Sequence, residues 1–187
     1  MHPTSTASNP LFDRDFLLAT MMGPNCVRFA EELTANIPLS PNMRVLDLGC
    51  GMGLSSIYLA RTFGVRVFAV DLWINPSDNF ARFRDFGLED AIIPLRAEGH
   101  ALPFAEGYFD AVICIDAYHS FGCAPEYLDA HIVPLVKPGG FIAAAIPGLR
   151  QEFTGDIPDE LRPYWQEDIN FHSAGWWAEL WKQSTRA

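Results

Sequence analysis

Three glycines at alternate positions, Gly49, Gly51 and Gly53, follow Asp47, and a second acid, Asp71, closes the next apolar run. Without a Cβ, glycine permits a tight turn and lets a ligand come close to the main chain. Asp71 lies 24 residues beyond Asp47, and adjacent parallel strands would put its carboxylate beside the glycine loop, where it accepts hydrogen bonds from both hydroxyls of a ribose. The glycines and Asp71 together describe a nucleoside site. Asp47, at the end of the first run, is expected to orient the loop and to reach a ligand ammonium through water. The spacing is G-x-G-x-G, whereas a dinucleotide loop reads G-x-G-x-x-G, so the pyrophosphate fingerprint is missing.

Asp116, Tyr118 and His119 follow the fourth apolar run and are the candidates for catalysis. With an ordinary pKa of ~6.5, His119 is either a base for a hydroxyl or ammonium acceptor or a part-buried histidine at a strand end. Tyr118 reads as a pocket wall or a reacting group, and Asp116 as a ligand contact or a partner for loop N–H groups. Asn25, in "MMGPN", either contacts a ligand carboxylate or shapes a helix start after Pro24, the simpler reading. His2, His100, His131 and His172 show no metal-ligand spacing, and no metal site is expected. The tryptophans at 165, 176, 177 and 181 offer cation–π surfaces, although packing of a C-terminal helix explains them more simply.

The elements that must hold these residues are short β-rich runs, "MRVLDL", "VRVFAV", "AIIPLRA", "FDAVICI" and "GFIAAAI", separated by helical segments. Strands alternating with helices imply parallel pairing, right-handed crossovers and helices on both faces of the sheet. Pro94 cannot donate to a ladder, so the third run belongs at an edge, as strand order 3-2-1-4-5 requires. Apolar positions from Cys26 to Ile37 recur at helical spacing, with Arg28, Glu31 and Glu32 facing elsewhere. A helix is expected from Leu54 to a C-cap at Gly64. Another should start near Pro125 with Leu128, Ile132 and Val136 on one face, kinked or ended by Pro134, before "KPGG" turns into the fifth strand. Ser173 should cap a last helix bearing Trp177, Leu180 and Trp181 on its apolar face.

"VLDLGCGMG" resembles the first motif of the class I S-adenosylmethionine-dependent methyltransferases, and "VFAVD" the second. "RAEGHALPF", "GYFDAVICIDAYHSF" and "LVKPGGFIAAAIP" are similar to that family's third, fourth and fifth strand segments, so the likeness runs from Asn42 to Pro147. It implies a Rossmann-like, doubly wound sheet and S-adenosyl-L-methionine as cofactor. It also implies that Gly49, Gly51 and Gly53, with Cys50 among them, face the methionine and ribose, and Asp71 the ribose diol. Leu72 would pack on adenine, Glu98 would accept from the adenine amino group and Gly99 would offer its N–H. Glu98 stands where Asp is commoner. Asp116, Tyr118 and His119 would lie near the sulfonium and the substrate. The wider pattern most resembles bacterial small-molecule methyltransferases of uncharacterised substrate, a group related to cyclopropane fatty acid synthases.

A chain of 187 residues, 49% of them hydrophobic, is expected to form one domain. Its parts would be an N-terminal helical segment or lid at 1–40, a cofactor-binding core at 41–148 and a C-terminal helical extension at 149–187. Residues 1–10, rich in Ser, Thr and Pro, read as mobile. A net charge of −10 argues against nucleic acid or an anionic membrane as partner. Cys26, Cys50, Cys114 and Cys123 form no C-x-x-C pair, which suits a reduced, cytoplasmic setting. The expected activity is methyl transfer to a small molecule; the alternatives are cofactor binding without catalysis and a nicotinamide-dependent oxidoreductase. The resemblance implies two further strands, which this sequence is expected to lack. Residues 149–187 then either fold back over the site or leave a sheet edge beside tryptophans, which favours a homodimer.

Overall fold

The computed structural model describes residues 11–165 and 170–186. The segment 1–10, expected to be mobile, lies outside them. Helices α1 (Arg14–Thr20) and α2 (Cys26–Thr34) lead into β1 (Arg44–Leu48), α3 (Leu54–Phe63), β2 (Arg66–Asp71), α4 (Pro76–Asp85), β3 (Ile92–Arg96), β4 (Phe109–Ile115), β5 (Val136–Ala145) and α5 (Ala174–Trp181). All strand pairs are parallel, in the order β3-β2-β1-β4-β5, the expected doubly wound sheet. Pro94 sits opposite Ala69 on the edge strand β3, where its missing N–H costs no second ladder.

Strand periodicity of two sorts the apolar residues onto two cores. Val45, Val67, Ala69, Ala111 and Ile113 pack with α2, α3 and Phe83 of α4 on one face, and Leu46, Phe68, Val70, Val112 and Cys114 pack with Leu128, Ile132 and Leu135 on the other. Trp177 and Trp181 of α5 close the second core beside Tyr118. Ser173 caps α5, its hydroxyl accepting from the Trp176 N–H at 3.2 Å. Gly64 ends α3 in the left-handed conformation, as expected, with its N–H bonded to the Ala60 carbonyl.

Three boundaries differ from the sequence reading. Helix α2 stops at Thr34 rather than Ile37, because Pro38 disfavours the helical conformation for the residue before it. The single helix expected to run through Leu128, Ile132 and Val136 is instead a π-helical turn over Leu128–Ile132 followed by a 3-10 turn over Val133–Leu135. The Val133 N–H bonds the Leu128 carbonyl five residues back, Pro134 has no N–H to continue an α ladder beyond that turn, and Val136 begins β5. The "KPGG" segment is therefore an insertion inside β5, not a turn before it. Val136 pairs with Phe109 and Phe141 with Ala111, so four residues bulge opposite Asp110. That carboxylate holds the bulge, accepting from Lys137 and, at 2.8 Å, from the Arg44 N–H.

Candidate functional site

Asp71 organises the carboxyl end of the sheet. One of its oxygens accepts from the Gly51 N–H at 2.8 Å, and the other from the Trp73 and Ile74 N–H groups at 2.8 and 3.0 Å. The Gly49 and Cys50 N–H groups bond the Val70 carbonyl, so the whole loop hangs on the end of β2. Asn79, buried in α4, donates to the Gly51 carbonyl at 2.9 Å and is itself held by Arg82. The loop needs its glycines for space as much as for backbone freedom. Gly49 has φ +76°, and a Cβ there would lie 2.3 Å from the Ala117 Cβ; one on Gly53, φ +86°, would lie 2.4 Å from the Phe83 ring.

Asp47 has no exposed surface. One oxygen accepts from the hydroxyls of Ser55 and Ser56 at 2.7 and 2.6 Å, and Oδ1 has no partner among the described residues. Burial pushes its carboxyl up to about 6, against the pull of the two serine bonds, and the charge of Asp71 adds to the rise. Asp47 ties the end of β1 to the first turn of α3, which follows the glycines. It is not on the wall of the cavity beside them.

That cavity, about 370 Å³ in volume, opens where β1 and β2 end. Gly49, Cys50, Gly51, Asp71, Leu72, Glu98, Gly99 and Asp116 line it, whereas Gly53, Asp47, Tyr118 and His119 do not. The Tyr127 hydroxyl donates to the Gly99 carbonyl at 2.9 Å and fixes the turn that carries Glu98. Glu98 itself is exposed, 3.8 Å from the His100 ring nitrogen. Tyr118 is 2% exposed and packs on Tyr127, Trp177 and Trp181 instead of facing the cavity. His119 stacks edge-on with Phe171, its Nδ1 is buried without a partner among the described residues, and burial lowers its pKa.

Sequence reasoning expected an N-terminal segment or lid but named none of the wall residues it supplies, Thr20, Met22, Gly23 and Cys26, nor Trp73 and Phe121. The signal was present in "MMGPN", where a glycine and a proline precede a helix. Asn25 caps α2 by accepting from the Arg28 N–H at 3.1 Å, the simpler of its two readings, and does not line the cavity. Burial, with the charge of Asp47 next, pushes the Cys26 thiol up to about 11, so it faces the cavity protonated and is no nucleophile. The four cysteines are free.

A methyltransferase-domain family model matches residues 46–144, more than half of the chain. The chain belongs to the class I S-adenosylmethionine-dependent methyltransferase family. This methyltransferase-family chain is 29% identical over 139 residues to a glycine/sarcosine/dimethylglycine N-methyltransferase of Actinopolyspora halophila, covering 72% of itself and 24% of that protein. It is also 29% identical over 119 residues to the methyltransferase GfsG of Streptomyces halstedii, covering 63% of itself and 42% of that protein. It thus spans less than half the length of either relative. Among solved structures, a geranyl diphosphate C-methyltransferase from Streptomyces coelicolor A3(2) superposes with TM-score 0.66 at 21% identity, over 82% of this chain and 57% of that one. The 4+2 cyclase SpnF superposes with TM-score 0.70 at 19% identity, over 83% and 55%. Likenesses this distant establish the methyltransferase fold, and SpnF shows that the fold also hosts other chemistry.

Proposed function

We propose that this chain transfers a methyl group from S-adenosyl-L-methionine to a small-molecule acceptor. The observation that carries the reading is the glycine loop clamped by Asp71 at the mouth of one cavity. The cofactor fits these residues: the space a Cβ would fill at Gly49 is closed to side chains, while the loop main chain at Gly49, Cys50 and Gly51 lines the cavity. In this reading Asp71 accepts from the ribose diol, Leu72 packs on adenine, and Glu98 and the Gly99 N–H take the ring edge. Gly53 shapes the loop from behind, and Asp47 holds its far end.

Bound S-adenosyl-L-methionine supplies an electrophilic methyl on a sulfonium. The chain's own contribution is to align the acceptor and exclude water. Met22 and Gly23, lying over Gly51 and Asp116, are the groups that shield that end, which supports the reading of segment 1–40 as a lid. Of the three catalytic candidates only Asp116 stands on the wall, so the acceptor end of the cavity is assigned to it. His119 and Tyr118 then serve as packing behind the wall.

No helix among the described residues is long and apolar enough to cross a membrane. A cytoplasmic setting without nucleic-acid partners, and pairing of two copies along the outer edge of β5, complete the proposal. Calorimetric titration with S-adenosylhomocysteine, with oxidised nicotinamide dinucleotide as control, tests it. Saturable binding of the first alone is expected; binding of the dinucleotide alone, or of neither, overturns it.

A further inference from the structure

The cavity holds three carboxylates, and their surroundings differ. Asp71 accepts from three N–H groups, and Glu98 is exposed beside His100. The Asp116 carboxylate is half-buried and makes no hydrogen bond or ion pair among the described residues; only its backbone N–H is bonded, to the Ala145 carbonyl at 2.8 Å. Among the described residues, no Lys or Arg lines the cavity. An uncompensated acid in such a place is costly unless a ligand brings the opposite charge.

The backbone is bent to put it there. Asp116 has φ +56°, one of two non-glycine residues with positive φ among those described, and the facing residue is Gly23, where a Cβ would lie 2.5 Å from Asp116 Oδ2. Strain of this kind persists where the surrounding structure imposes it, commonly at ligand sites. A glycine opposite lets the N-terminal segment close over the carboxylate. Burial raises the carboxyl's pKa in the free chain, as expected for an acid without a partner.

We infer that Asp116 selects the acceptor, and that the acceptor is a protonated amine held by ion pairing with this carboxylate at the end of β4. The inference rests on the methyl-transfer reading and names its substrate class. Asp116 also takes the proton that an ammonium must lose before its nitrogen lone pair can attack. The new C–N bond then forms as the methyl–sulfur bond breaks, and the bonding pair leaves with sulfur.

The test uses the whole chain saturated with S-adenosylhomocysteine, whose binding is measured first and by itself reports on the methyl-transfer reading. Butylamine, butanol and butyrate, a cation, a neutral molecule and an anion of one carbon frame, are then titrated by NMR. Butylamine should bind at least tenfold more tightly than butanol or butyrate. Asp116→Asn is the variant of choice because asparagine tolerates positive φ, so the fold is kept while the charge is lost. It should abolish the preference for butylamine and leave S-adenosylhomocysteine affinity within twofold. In the wild type, butylamine should also lower the pKa of the Asp116 carboxyl read by carbon NMR. Equal binding of amine and alcohol, or an amine preference that survives Asp116→Asn, overturns the inference. So does a variant that loses S-adenosylhomocysteine instead, which would make Asp116 a cofactor contact.

Discussion

Replacing Asp47 by Asn tests whether the acid under the glycine loop is as buried as its surroundings indicate. Its carboxyl rises from an ordinary 3.8 to about 6 on folding. That is about two pH units, and at about 1.4 kcal/mol per unit the linked free energy is about 3 kcal/mol. Below pH 4 the folded and unfolded chains both hold the proton, and above pH 6 neither does. Between those limits the folded chain binds more protons, so raising the pH through this window destabilises the wild type by that amount. The asparagine variant has no such titration. Urea unfolding of both proteins at half-unit steps from pH 4 to pH 7.5 should show the difference in stability moving by about 3 kcal/mol in favour of the variant, with all other titrations cancelling. Any fixed loss from disturbing the Ser55 and Ser56 bonds offsets the whole curve without changing its slope. A difference independent of pH between 4 and 6 would refute the account of Asp47 as a buried, penalised carboxylate.

Asp71→Ala removes three N–H anchors and the proposed diol contact together, and should weaken S-adenosylhomocysteine by roughly 1.5–3 kcal/mol, read by calorimetry; unchanged affinity would sink the ribose assignment. Gly49→Ala places a methyl 2.3 Å from the Ala117 Cβ at positive φ, and thermal unfolding should show a loss of about 1–3 kcal/mol. Tyr127→Phe frees the Gly99 carbonyl and should cost about 1 kcal/mol of stability, with severalfold weaker S-adenosylhomocysteine binding. For Asp110, burial works against the charge but the Lys137 and Arg44 bonds outweigh it, leaving the carboxyl below its ordinary value. Its stabilisation is present above pH 4 and lost as pH falls through the folded value, so Asp110→Asn should flatten the acid limb of the stability curve.

The sheet order was readable because its punctuation is chemical. Gly64 and Pro94 each have a single comfortable place in a doubly wound sheet, and both occupy it. The region after β4 was not readable from spacing, since Leu128, Ile132 and Val136 fit a helix template, whereas the chain takes a π turn over Leu128–Ile132 and a 3-10 turn through Pro134. For the cavity, the glycines and Asp71 announce themselves locally. Tyr118 and His119 do not, because a 3-10 turn over Tyr118–Ser120 decides which side chains face inward. Asn79 and Tyr127 escaped notice for a different reason: each acts by side-chain hydrogen bonding on a loop at least 28 residues away, and no short pattern encodes that distance.

The Asp71 clamp has a kinetic consequence. An ionised carboxylate offers about four acceptor positions, and three are already taken by the Gly51, Trp73 and Ile74 N–H groups. A diol brings two hydroxyls, so its arrival forces one backbone N–H to share or yield, and its departure lets that bond close again. The residence time of any nucleoside ligand is thereby tied to the stiffness of the turn after β2. Variants that loosen this turn without touching the ligand should exchange it faster in both directions while changing the equilibrium little.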